Sequence, residues 1–143
     1  MHFFGGGYSD IKSPGGSWIK AFEDLQNNPT AIVNGYPETR PEDVKYKPYD
    51  CCYDLLLGNC SYICKPQTRF TTIWYEDMLK FIESRADLLR INPSTFPQDC
   101  KQKNTGYPIG WSEMLGQIFH KHLIKFLPQV LYTVPRPVCI NYR

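Results

Sequence analysis

The sequence predicts an α/β fold: a short mixed sheet with flanking helices. Three observations carry this. A long apolar stripe at helical period fills the middle of the chain, short β-branched or alternating segments lie on either side of it, and Gly, Pro and Asn punctuate the joins. A length of 143 residues suits one domain, read as residues 1–143.

The elements follow in order. Gly5 to Asp10 reads as a turn running into a short extended segment, and Ser13-Pro14-Gly15-Gly16-Ser17 punctuates it. Trp18, Phe22 and Leu25 then recur at i, i+4 and i+7, one face of a short helix that Asn27-Asn28-Pro29 stops. Ala31-Ile32-Val33 is a strand candidate, and residues 36–50, loaded with proline and charge, read as a surface loop. Asn59 to Cys64 alternates as a strand does, and Lys65-Pro66 ends it. Thr68 is placed to cap a long helix whose stripe is Phe70, Ile73, Trp74, Met78, Phe81, Ile82, Leu88 and Leu89. Residues 92–110, rich in Pro, Asn and Gln, read as loop. A further amphipathic helix carries Trp111, Met114, Leu115, Ile118 and Phe119 on one side, and Pro128 ends it. Val130 to Val134 is a β-branched run, hence a strand, closed by Pro135 and Pro137 before the tail Asn141-Tyr142-Arg143.

Composition removes several function classes. The net charge is +2 and no Lys/Arg run stands out, so no nucleic-acid partner is expected. No apolar run reaches about 18 residues, so no membrane span is expected. A basic n-region with an apolar h-region, the mark of a signal peptide, is not visible. The six cysteines, at 51, 52, 60, 64, 100 and 139, permit disulfides in principle, but vicinal Cys51 and Cys52 are poorly placed to bridge each other. There is no C-x-x-C pair; Cys51, Cys60 and Cys64 with a histidine form the remaining thiolate-metal option, and buried thiols the plainer reading.

The stretch Gly5-Gly6-Gly7-Tyr8-Ser9-Asp10-Ile11-Lys12 carries the chemistry. Glycines remove Cβ atoms and let a flat group lie against the backbone. A carboxylate at the end of the extended segment is a ligand for a divalent cation that also holds phosphates. Tyr8 is placed to fill the space beneath.

The segment HFFGGGYSDIK resembles the G-G-x-Y-x-D-x-D stretch of GT-A-fold glycosyltransferases, nearest to the capsular-polysaccharide and α-mannosyltransferase-like group. GNCSYICKPQTRFTTIWYEDML resembles their strand, Lys-Pro turn and long helix, and GYPIGWSEMLGQIFHKHL their downstream helix. The resemblance implies an incomplete GT-A-like domain. Only Met1 to Phe4 precede the motif, so the chain is similar to the C-terminal part of such a catalytic domain.

It also implies a nucleotide-sugar donor, a glycan or other glycoconjugate hydroxyl as acceptor, and retention at the anomeric carbon. Gly5, Gly6, Gly7, Tyr8 and Lys12 fall on the donor side, with Asp10 as the motif's first carboxylate. The second position is Lys12, which cannot ligate a cation. Either Asp10 keeps Mn²⁺ or Mg²⁺ with help from another residue, for which a C-terminal histidine, His120, is the expectation, or the Lys12 ammonium replaces the metal's charge. Glu113 is the remaining catalytic candidate, an acceptor-side base or, more plainly, an acid at a helix start. Trp111 and Asn59 are further acceptor-side positions or, more plainly, a core indole and a turn asparagine, and His122 reads as solvated. A Golgi or other membrane-associated location follows only if an anchor precedes this segment.

Two alternatives stand beside the transferase: a non-catalytic GT-A remnant acting as a binding or scaffold module, and a disulfide-held secreted binding domain.

Overall fold

Strand β3 (Leu57–Cys64) is the spine of the sheet. In this computed structural model, which describes residues 1–138, β1 (Gly6–Ser9) and β2 (Val33–Pro37) pair antiparallel with its two edges. β4 (Val130–Leu131) runs parallel to β2, giving the order β1-β3-β2-β4. Cys139 and the Asn141–Arg143 tail lie outside the described residues. The fold is therefore the mixed α/β arrangement that the patterning predicts.

Alternation along β3 sends its side chains to two layers. Tyr62 and Cys64 face helix α2 (Arg69–Glu83) and helix α4 (Ile118–Leu123), in a core with Val33, Leu57, Phe70, Trp74, Phe119, Leu123 and Val130. Ile63 faces the other way, onto Ala21 and Leu25 of helix α1 (Ile19–Asn27). Buried Asn34 ties the second layer together: its Nδ2 donates to the Ala21 carbonyl at 2.9 Å, and its Oδ1 accepts the Thr133 N–H at 2.9 Å. Beyond Leu131 the chain stays tied to β2 through this Asn34–Thr133 bond and through Val134 N–H on the Gly35 carbonyl at 3.1 Å.

Thr68 caps α2 as expected, its Oγ1 accepting the Thr71 N–H at 3.2 Å. The apolar stripe, however, belongs to two helices. α2 stops at Glu83 and α3 (Ala86–Ile91) starts after a bend, which turns Leu88 to solvent. The loop expected over 36–50 is largely ordered as 3₁₀ turns, Pro41–Asp43 and Lys47–Leu55. Trp111 precedes its helix, which opens with a π turn at Glu113–Gln117, continues through α4 and tightens to 3₁₀ at Ile124–Gln129. β2 lies later than the Ala31–Val33 segment because Ala31 packs against α1 instead. No helix among the described residues is long and apolar enough to cross a membrane. The five described cysteines, Cys51, Cys52, Cys60, Cys64 and Cys100, are free thiols, so a disulfide-held domain has no bridge among the described residues.

One close approach shapes the sheet where the site forms. A Cβ built on Gly58 would lie 2.0 Å from the ring of Tyr36, which crosses directly over the β3 backbone beside the irregularity between Gly35 and Pro37. Gly58→Ala must displace that ring, and is expected to lower stability by about 1–3 kcal/mol. Urea unfolding of the variant beside wild type reads this; an unchanged midpoint contradicts the packing described.

Candidate functional site

A cleft of about 550 Å³ opens beside the β1–β3–β2 edge, between the end of β1, the segment after β2 and the start of the α4 region. Its floor is aromatic. Tyr8 stacks on Tyr62 with centroids 5.3 Å apart, and Tyr62 in turn packs on Phe119 at 5.0 Å and edge-on to Trp74 at 5.8 Å. Asp10, Lys12, Tyr36, Glu38, Asn59, Cys60 and Trp111 complete much of the wall.

Asp10 and Lys12 are brought together on one wall of this cleft. The Asp10 N–H bonds to the Cys60 carbonyl at 2.8 Å, which carries the β1–β3 pairing one residue further. The tyrosine two places earlier then reaches forward: Tyr8 Oη donates to Asp10 Oδ1 at 2.7 Å. Lys12 Nζ lies 3.0 Å from Asp10 Oδ2 and donates to Cys60 Sγ at 3.1 Å. Burial pushes the Asp10 carboxyl upward, but hydrogen bonds from Tyr8, Lys12 and Cys60 outweigh it and hold the group below its usual value. Burial pulls Lys12 down, and its bonds to Cys60 and Asp10 more than reverse this, so the ammonium stays charged. Burial raises the Cys60 thiol, which keeps it neutral.

The glycines take a different role from the one expected. Gly5, Gly6 and Gly7 do not line the cleft. What approaches Gly5 and Gly7 is the protein itself, while a Cβ on Gly6 would meet open space. A Cβ on Gly5 would sit 2.6 Å from the Cys64 carbonyl oxygen, and one on Gly7 would sit 3.0 Å from the Trp18 ring. Alternation explains the error: Gly7 faces α1, whereas Tyr8 and Asp10 face the cleft.

His120 is likewise reassigned. It is 0% exposed, and both ring nitrogens are occupied by backbone groups. Nδ1 accepts the Lys45 N–H at 2.9 Å, so the ring proton is on Nε2, which donates to the Leu57 carbonyl at 2.8 Å. Burial drives this imidazole down to about 4, with the Leu57 bond opposing and Lys45 assisting. A neutral histidine with no spare lone pair is a structural tie between β3 and α4, not a metal ligand. His122, expected in solvent, is buried and bonds through Nε2 to Asp77 Oδ2 at 2.8 Å.

Glu113 lies outside the cleft lining. Its Oε2 accepts the Gly110 N–H at 2.8 Å while its own N–H bonds to the Gly110 carbonyl at 3.2 Å, a reciprocal closure of the helix start. The residues around Asp10 do not fit a divalent cation. They offer one carboxylate, already joined to an ammonium, and no group of three or more His, Cys, Asp or Glu suited to a metal occurs among the described residues.

Sequence reasoning missed Glu38. Just past β2, its N–H bonds to the Leu56 carbonyl at 2.8 Å and its side chain turns into the cleft, leaving the residue only 6% exposed. Burial raises its carboxyl to about 7, reinforced by Asp43 and opposed by Lys45, Arg136 and Arg40. Nothing in the run Gly-Tyr-Pro-Glu-Thr-Arg distinguishes it from a solvated loop acid. Trp111, by contrast, is 66% exposed on the cleft, where a core role was the plainer expectation.

Comparison with protein-family models, with curated proteins and with solved structures finds no match to this chain.

Glu38 and His120 act on stability in opposite senses. The native state prefers neutral His120, a contribution that is full above about 6.5 and lost as pH falls toward about 4. It also prefers protonated Glu38, a contribution that is full below about 4.5 and lost as pH rises through about 7. Across the overlap the two slopes cancel. Glu38→Gln removes one of them, so its stability relative to wild type should rise by about 1.4 kcal/mol per pH unit across that interval. Urea titrations of both proteins at several pH values measure this, and parallel profiles contradict it.

Proposed function

We propose that the cleft binds a nucleotide-sugar donor and that the protein is glycosyltransferase-like, passing the sugar to a hydroxyl of a glycan or glycoconjugate. The observation that carries this reading is the Asp10–Lys12 pair, 3.0 Å apart on one wall of an aromatic-floored cleft. Glycosyl transfer from such a donor leaves negative charge on a departing diphosphate, and fixed positive charge at that point lowers the barrier. Lys12 supplies it directly, without a metal. Asp10 holds the ammonium in place and leaves lone pairs for the hydroxyls of the donor. Arg40, Lys45 and Arg136 add positive charge around the same space, where Asp43 is already engaged by Arg40 at 3.0 Å. The exposed face of Trp111 offers a stacking surface for a sugar ring. Helices on both faces of a mixed sheet are in keeping with a GT-A-like reading of the chain.

A second reading, a non-catalytic binding or scaffold module of the same descent, draws on the exposed apolar side chains Phe4 and Ile11 that flank β1.

Calorimetric titration with UDP-glucose, UDP-galactose and GDP-mannose, each with and without Mn²⁺, separates the two. The transferase reading expects one donor to bind without added metal, and Lys12→Ala to weaken that binding about tenfold or more. Absence of binding by every donor under both conditions rules the reading out.

A further inference from the structure

Glu38 is only 6% exposed and lines the cleft, and a carboxyl buried to that degree is costly unless donors reach it. The charges of the protein around it act through space. The groups packed around it are committed or too distant. His120 Nε2, on α4, is 4.0 Å from Glu38 Oε1 and spends its proton on the Leu57 carbonyl. Arg40, in the segment after β2, is engaged with Asp43 through Nε at 3.1 Å and Nη2 at 3.0 Å. Lys45, from that segment, and Arg136, from the C-terminal segment, act on Glu38 through space and make no hydrogen bond to it.

The residue is nearly buried, and its side chain forms part of the cleft wall. Phosphate oxygens bring no protons to the ionised carboxylate. Hydroxyl groups do. A neutral sugar can donate to the ionised carboxylate, accept from the protonated acid, and lay an apolar face on the exposed Trp111 indole of the same cleft.

We infer that Glu38 is the acceptor-side anchor of the cleft, binding hydroxyls of a neutral sugar whose ring stacks on Trp111. This rests on the transferase reading, with the donor's diphosphate at Lys12, and adds the acceptor class: an uncharged glycan end rather than an acidic or phosphorylated one. A bound sugar replaces water around Glu38 with donors aimed at the ionised form, which stabilises that form. Occupancy is thus read in the titration of Glu38 itself, a signature that a merely structural carboxyl lacks.

The test uses the full chain, labelled with ¹³C at glutamate. The Glu38 side-chain carboxyl is titrated by NMR alone, then with methyl α-D-mannopyranoside, methyl β-D-glucopyranoside or methyl β-D-galactopyranoside. In the free protein the midpoint is expected near about 7. One glycoside should move it down by about half a pH unit or more. Trp111→Ala, at an exposed position that the fold tolerates, should weaken that glycoside about tenfold. A Glu38 midpoint that none of the glycosides moves overturns the inference, as does full glycoside affinity in Trp111→Ala. Donor calorimetry keeps the two claims apart. A chain that binds a nucleotide sugar while Glu38 ignores every glycoside loses this inference alone. A chain whose Glu38 responds to a glycoside but which binds no donor keeps the sugar site and loses the transferase.

Discussion

The buried ring of Tyr62 links everything on the cleft floor. It projects from the central strand β3 and touches both sides of the site: Tyr8 of β1 at 5.3 Å, and Phe119 of α4 at 5.0 Å. Burial of an aromatic ring of this kind removes roughly 150–250 Å² from water, which makes the contact hard to relinquish. Its consequence is positional. With Tyr8 clamped on Tyr62, the Tyr8 hydroxyl is held where it donates to Asp10, and Asp10 in turn is held where it meets Lys12. The functional pair at the end of a four-residue edge strand is thus oriented from the core outward.

The second constraint is polar. His120 fastens α4 to β3 through Leu57 and to the segment after β2 through Lys45, and it does so as a neutral imidazole. A charged ring there would lose its acceptor nitrogen and with it the Lys45 tie. The neutral ring, 4.0 Å from Glu38, gives that carboxyl no counterion. The raised carboxyl of Glu38 is in this sense a by-product of how the helix is attached.

Much of the fold was legible because its signals are local. The period of Phe70, Trp74 and Met78 and the hydroxyl of Thr68 require no distant partner to announce a capped helix. Asp10 and Lys12 were legible as a pair two places apart, though what joins them is a tight turn, closed by Lys12 N–H on the Asp10 carbonyl at 2.7 Å, rather than strand alternation. Gly5 to Gly7 misled because a glycine states that something comes close without saying what; here Trp18 and the Cys64 carbonyl come close. His120 misled because its ring nitrogens are used by Lys45 and Leu57, 75 and 63 residues away. Glu38 was invisible for a related reason: beside its sequence neighbours Arg40, Asp43 and Lys45, it meets His120 of α4 and the charge of Arg136 from the C-terminal segment, which no local pattern announces.

Lys12, two places after Asp10, gives this pair a chemistry that two carboxylates would not have. A cation held by two carboxylates binds its ligands reversibly and brings its own waters. An ammonium bonded to Asp10 and Cys60 is part of the chain, cannot be removed by chelation, and is placed before any ligand arrives. Such a charge is preorganised, so on the proposed reading a diphosphate entering the cleft would meet positive charge without the cost of assembling a metal site. The same arrangement limits the ligand. Lys12 offers ammonium donors in a fixed place, and one carboxylate oxygen of Asp10 is already engaged with Tyr8 at 2.7 Å. A ligand must fit the remaining valences of both residues at once, and a molecule with an anionic group beside vicinal hydroxyls does so.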